Sequence, residues 1–178
     1  MNPAAFGSLP GSACTQGTAG SFGPDRITAY SYDGAGQLTR LTSGYGVNGL
    51  QRDELSYVYN PNGTVATLGD ARGNVTTYYY DGLDRLSKTV FLSPSAAGQG
   101  NPNDYEQLSL DADGNVTARR LRDGRTISYG YDTLSRRTSM TFPATGISQD
   151  SNVSYGYDLQ GHLLQAQDAN TRRGRLQL

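Results

Sequence analysis

Tyr78-Tyr79-Tyr80-Asp81-Gly82-Leu83-Asp84-Arg85-Leu86-Ser87-Lys88 decides the fold. In an extended strand successive side chains point to opposite faces, so Tyr78 and Tyr80 share one face and Tyr79 takes the other. Tyrosine favours strands because it packs well against cross-strand neighbours. Asp81 then opens a turn, since an aspartate side chain hydrogen-bonds its own backbone two residues on. Leu86-Ser87-Lys88 starts a second strand. The phrase is one β-hairpin.

Working outward, the phrase recurs. Tyr-X-Tyr followed by Asp or Asn stands at Tyr30–Asp33, Tyr57–Asn60, Tyr78–Asp81, Tyr129–Asp132 and Tyr155–Asp158, with a degenerate copy, Leu108-Ser109-Leu110-Asp111. The turn-opening positions 33, 60, 81, 111, 132 and 158 are spaced by 27, 21, 30, 21 and 26 residues, so 21 is the period and longer gaps carry insertions. Ten of the 13 tyrosines fall in these doublets, too many for chance. Five turns read Asp/Asn-X-X-Gly, at 33–36, 60–63, 70–73, 111–114 and 158–161, the pattern of a type I turn closed by a residue of positive φ. Asp84, Ser135 and Thr171 replace the glycine in three further turns, which are expected to be looser. The exit segments, such as Thr64-Val65-Ala66-Thr67-Leu68 and Asn115-Val116-Thr117-Ala118-Arg119, carry a period near two with β-branched residues, and no segment has a helical period. The expectation is an all-β array of antiparallel hairpins, two strands and two turns per unit.

Composition agrees with thin packing. Leu, Ile, Val and Phe make up 32 of 178 residues, while glycine reaches 23. Charge is nearly balanced at −1, which removes the repulsion that keeps disordered chains open. Balanced charge and a pI near 5.7 give no reason to expect nucleic acid as a partner. No apolar run reaches the ~18 residues of a membrane span. One Cys, Cys14, and one His, His162, exclude an internal disulfide and a Cys/His zinc site. The start lacks the basic and apolar regions of a signal peptide.

These phrases resemble the RHS or YD repeats, through Tyr-Asp-X-X-Gly-X-Leu and its 21-residue period over residues 27–169. The family includes polymorphic-toxin Rhs proteins, shell components of insecticidal toxin complexes, wall-associated proteins and teneurins. The resemblance implies a β-sheet wound in a spiral into a hollow shell, here a partial, open one. It also implies partners that are further RHS repeats or an encapsulated C-terminal toxin or effector, and a secreted or cell-envelope setting. Carbohydrate binding at a cell surface is the alternative it raises. Family shells are far longer and carry a closing Asp-Pro-X-Gly type segment absent here, so self-cleavage is not carried over and the chain is expected to be a piece of a shell. Domain boundaries follow: an irregular lead-in at 1–26, the repeat array at 27–169 and an irregular tail at 170–178.

Candidate chemistry yields to the repeat in each case. His162 would have to serve any Ser-His-Asp or Cys-His arrangement, yet it occupies an ordinary strand start after Gly161. Asp111-Ala112-Asp113-Gly114-Asn115 alternates oxygen ligands as calcium loops do, but lacks a downstream acidic residue and satisfies the turn pattern. Paired carboxylates for glycoside hydrolysis are available among 14 Asp and two Glu, most of them in turns. Gly17, Gly20 and Gly23 lack the Gly-Lys-Ser/Thr ending of a phosphate loop. Arg119, Arg120, Arg122, Arg125, Arg136 and Arg137 form a basic stretch that reads as solvated strand positions balanced by Asp123 and Asp132. The sequons at Asn62, Asn74, Asn115 and Asn152 arise from turn exits. No catalytic, cofactor-binding or metal-ligating residue is assigned, and no enzyme activity is expected.

The doublets therefore carry the functional question: packing, or an aromatic surface for sugars. Cross-strand pairs contribute about 0.2–1 kcal/mol each, against about 1–2 kcal/mol per residue for ordering the backbone. Pairing alone cannot fold the chain, so the tyrosine faces are expected to be largely buried. Open sheet edges and the thin core further predict poor solubility or oligomerisation of the isolated chain.

Overall fold

The computed structural model describes residues 23, 26–96, 98–143, 152–169 and 176–177. The chain divides into two compact units, Met1–Thr77 with Phe91–Gly100, and Tyr78–Val90 with Asn101–Leu178. In the first, β1 (Ala29–Tyr32), β2 (Leu38–Ser43), β3 (Arg52–Tyr59), β4 (Val65–Asp70) and the start of β5 (Val75–Tyr80) pair in chain order, every pairing antiparallel. The second begins with the hairpin of the end of β5 and β6 (Leu86–Leu92). It continues through β7 (Gly100–Leu110), β8 (Val116–Arg120), β9 (Thr126–Tyr131), β10 (Arg137–Thr141), β11 (Val153–Tyr157), β12 (Leu163–Asp168) and β13 (Leu176–Gln177). From β7 on, each strand pairs antiparallel with the next. No helix occurs among the described residues, so the all-β array of hairpins expected from the sequence is the fold. In the tail expected to be irregular, Leu176–Gln177 pair with Gln165 and Ala166 as β13. Residues 1–22 of the lead-in lie outside the described residues.

Register explains the doublets. Tyr32 faces Leu38, Tyr59 faces Val65, Tyr131 faces Arg137 and Tyr157 faces Leu163, each opposite the sixth residue after it. The register then slips by one residue, a β-bulge, in each of these hairpins and in the degenerate one. The extra residue has its own task. Thr39, Ser87 and Thr117 each donate a hydroxyl to the facing strand, to the carbonyls of Ser31, Tyr79 and Ser109, all at 3.2 Å.

The tight turns are alike. In all of them the opening residue's N–H donates to the carbonyl four residues on, and its own carbonyl accepts from the N–H three residues on, at 2.7–3.2 Å. The closing residue has positive φ in every case, and the closing glycines run from Gly73 at 78° to Gly114 at 89°. Asp84 and Ser135 take the same conformation at 59° and 58°, and their closing bonds are 3.1 and 3.0 Å. The looser turns expected there do not occur, because five hydrogen bonds within each loop over-determine it and hold an L-residue in it. That strain makes a prediction. The left-handed region costs an L-residue about 1–2 kcal/mol, partly offset by the greater freedom of glycine when unfolded. Ser135→Gly is expected to raise the thermal midpoint despite losing the exposed bond from Asn115 Nδ2, while Ser135→Ala lowers it. Differential scanning calorimetry of the two variants checks the sign.

Burial departs from expectation. None of the ten paired tyrosines is buried; Tyr30 and Tyr32 are 57% and 61% exposed and the other eight are half-buried. Among the described residues the buried apolar side chains are Val90 and Ile127. Within each unit the described strands form sheet alone, and among the described residues the rings are covered by neighbours along the sheet, including Arg137 over Tyr129 and Arg136 over Tyr157.

Candidate functional site

The carboxylates of the turns face inward on their own loops. Asp81 Oδ1 accepts the N–H groups of Leu83 and Arg85 at 2.9 and 3.0 Å, and its Oδ2 accepts Arg85 Nε at 2.7 Å. Asp132 repeats this with Leu134, Arg136 and Arg136 Nε. Asp70 does so with Arg72, Asn74 and Asn74 Nδ2. These bonds favour the charged form. The side-chain bond from Arg85 holds the Asp81 carboxyl below its ordinary range, and that from Asn74 does the same for Asp70. At Asp132 the backbone N–H of Arg136 leads.

One turn was not visible in the doublet pattern. Leu121-Arg122-Asp123-Gly124 closes with the same two backbone bonds, at 2.7 and 2.9 Å, and Gly124 at φ 89°. Leucine in the opening position hid it. Asp123 substitutes by accepting the Arg125 N–H, and the Asp-Gly dipeptide was the available signal.

Hydrogen bonds also run from repeat to repeat. In the first unit, Gln37 Nε2 donates to the Gly63 carbonyl of the next turn at 3.3 Å. In the second, Arg85 Nη1 reaches the Asp111 carbonyl at 2.9 Å, Asn115 Nδ2 reaches Ser135, and Arg136 Nη1 reaches the Asp158 carbonyl at 3.0 Å. The second tyrosine of a doublet bonds backwards. Tyr59 Oη donates to the Leu38 carbonyl at 2.7 Å, Tyr131 Oη to Val116 at 3.0 Å and Tyr157 Oη to Arg137 at 2.9 Å. Each acceptor is the fifth residue after the preceding turn-opening aspartate. This is why the position holds tyrosine and not phenylalanine.

The two sheet faces of the second unit differ. On one, the Tyr105 ring has Lys88 Nζ at 4.0 Å and Arg120 at 3.7 Å from its centre. On the doublet face, Arg137 lies over Tyr129 at 4.7 Å and Arg136 over Tyr157 at 4.8 Å. An open groove of about 310 Å³ lies on this face beside the degenerate copy, between Leu86, Leu108, Val116 and Tyr129.

The other candidate residues take structural places. His162 is 73% exposed, and its Nδ1 lies 2.9 Å from Asp158 Oδ2, the position Arg85 and Arg136 fill in their turns. The carboxylate of Asp111 in the calcium-like loop is engaged by Asn115, whose N–H and Nδ2 donate at 2.8 and 3.0 Å. Four arginines of the basic stretch are paired: Arg119 with Glu106, Arg122 with Asp104, Arg125 with Asp123 and Arg136 with Asp132. The balancing acids therefore include Asp104 and Glu106 of β7, which local spacing did not point to because they come from the neighbouring strand. Arg120 donates to the carbonyls of Tyr105 and Leu121. Cys14, Gly17, Gly20 and Thr171 lie outside the described residues. No helix among the described residues is long and apolar enough to cross a membrane.

Comparison with known proteins agrees with the resemblance. A family model described as RHS Repeat matches residues 111–147. Solved structures sharing the fold include a Tc holotoxin pore from Photorhabdus luminescens carrying a TccC3 mutation, at TM-score 0.61 and 22% identity over 80% of this chain. They also include TcdB2-TccC3 with Cdc42, at 0.62 and 22% over 83%, and TcdB2-TccC3 without its hypervariable C-terminal region, at 0.62 and 22% over 83%. The chain spans 8% of the length of each of these. No curated protein sequence matches it.

Proposed function

We propose, from the premise that this chain is built of RHS-type repeats, that it is a non-catalytic structural module: a segment of β-wall that encases or presents another polypeptide. The partner by this reading is a toxin or effector segment or further repeats of the same kind. One observation carries the proposal. The chemically distinctive side chains are engaged within the array, some between repeats and others inside their own turns. The hydroxyls of Tyr59, Tyr131 and Tyr157 go to backbone carbonyls of the preceding repeat, and the turn aspartates and His162 are bound within their own loops. Such a surface is suited to being a wall. The fold shared with Tc toxin structures supports the same reading.

The test is limited proteolysis of the whole natural gene product. Expected is a partner polypeptide that resists protease while the array is intact and becomes sensitive in the double variant Tyr131→Ala, Tyr157→Ala. Equal digestion rates in both proteins overturn the proposal. Saturable binding on a glycan array, lost in Tyr30→Ala with Tyr32→Ala, would replace it with adhesion through the exposed doublet of β1.

A further inference from the structure

The groove on the doublet face has a cause in the repeat itself. In the hairpin of β11 and β12 the first tyrosine of the doublet projects back over the exit strand of the preceding hairpin, β10. Tyr155 shows the geometry: its hydroxyl reaches Met140 Sδ at 4.0 Å, and Met140 is the eighth residue after the turn-opening Asp132. In the degenerate copy the same position is Leu108, and the eighth residue after Asp81 is Thr89. Both line the groove. A leucine is shorter than the tyrosine that reaches Met140, and Leu110, standing where a second tyrosine would reach back to the fifth residue, leaves Leu86 38% exposed. The groove is the place of an absent tyrosine ring.

We propose that this groove is a receptor site for a phenol side chain, a tyrosine presented by the polypeptide that the array encases or presents. The inference deepens the proposed function and rests on it for the identity of the partner, though not for the existence of the site. Three features favour a phenol over other occupants. The space, about 310 Å³, exceeds the roughly 150 Å³ in which an engineered cavity holds a benzene ring. The floor is apolar, formed by Leu86, Leu108 and Val116, and the Tyr129 ring provides an aromatic side. At the end where a ring on residue 108 would carry its hydroxyl stands Thr89, which both donates and accepts. The occupant thereby continues an interface that the repeats already make with one another, tyrosine over the preceding exit strand. The rim pair of Glu106 with Arg119, at 2.9 Å, is internally neutralised, and the other cations of the lining lie against rings, Arg137 over Tyr129 and Lys88 over Tyr105.

Titration of the full chain with p-cresol and with toluene, followed by NMR of the Leu86, Leu108 and Val116 methyl groups, tests the site. Expected is saturable p-cresol binding with a Kd on the order of 1 mM, as befits a ligand of this size. Leu108→Tyr, which returns the missing ring, is expected to weaken binding at least about tenfold, because the site is then filled. Should Leu108→Tyr fail to fold, Thr89→Val keeps the apolar shape and is expected to erase the preference for p-cresol over toluene. Absence of saturable binding by the native chain, or binding unchanged by both substitutions, overturns the proposal. Neither result bears on the protease protection of the partner, which stands or falls by its own measurement. Protection without p-cresol binding would reject the receptor site and leave the wall.

Discussion

Replacing Tyr131 with alanine is expected to lower the unfolding free energy by about 2–3 kcal/mol, below the usual 3–5 kcal/mol for a fully buried aromatic ring because this ring is half-buried. The ring faces Arg137 across the hairpin, and its hydroxyl donates to the Val116 carbonyl of the preceding repeat at 3.0 Å. Removal therefore severs both cross-strand packing and a bond between repeats. Tyr131→Phe separates the two, since it keeps the ring and loses only the hydroxyl, at an expected cost of about 1 kcal/mol. Tyr32→Phe is the control. That ring is 61% exposed at β1, and surface changes of this kind usually stay within about 0.5 kcal/mol. Equilibrium urea unfolding of the three variants gives the ranking. Equal stability of Tyr131→Phe and the parent chain would mean that the hydroxyl does not join the repeats.

Acid is expected to unfold the array over a narrow pH range, because many carboxylates act together. Asp70, Asp81, Asp111 and Asp158 are held below the ordinary carboxylate range chiefly by side-chain bonds from Asn74, Arg85, Asn115 and His162. Asp104 is held there by Arg122, and Asp123 and Asp132 chiefly by the N–H groups of Arg125 and Arg136. A carboxyl whose pKa is lower folded than unfolded stabilises the fold above its unfolded pKa, near 3.9, and that contribution disappears as pH falls through the folded value. The thermal midpoint should thus be level from pH 7 to about 5, then fall steeply below about 4. Each site is solvated and contributes little alone, so the steepness comes from number. The Asn60 turn supplies an internal comparison, since its amide donates to Thr64 Oγ1 at 2.9 Å and does not titrate. Asp81→Asn combined with Asp132→Asn should flatten the acid limb. A midpoint unchanged down to pH 2 would remove the turn carboxylates from any account of stability.

The hairpins were legible because two local signals coincide: period-two tyrosines mark a strand, and an aspartate three residues before a glycine marks its end. Both depend on residues within reach of one another along the chain. The bonds between repeats were not legible, because Tyr131 Oη and Val116, or Arg85 and Asp111, meet only once neighbouring strands are in register. The turn at Leu121 was missed since its anchor, Asp123, sits at the third position and not the first. Tyrosine burial was overestimated by treating the energetic need for packing as a need for a second layer. The array instead leaves the rings partly exposed and bonds the hydroxyls of Tyr59, Tyr131 and Tyr157 to backbone carbonyls. The groove could be seen in the sequence only as an imperfection, Leu108-Ser109-Leu110, and acquired meaning when the rings on either side were placed.

The backward reach of Tyr59, Tyr131 and Tyr157 gives the array a direction. Each of these three bonds is delivered by the hairpin synthesised next, across about 15–21 residues of chain. Loop closure over so short a span is quick and entropically cheap. A polypeptide leaving the ribosome can therefore lay down its sheet one ribbon at a time, each newcomer fastening the last, with no segment waiting on a distant one.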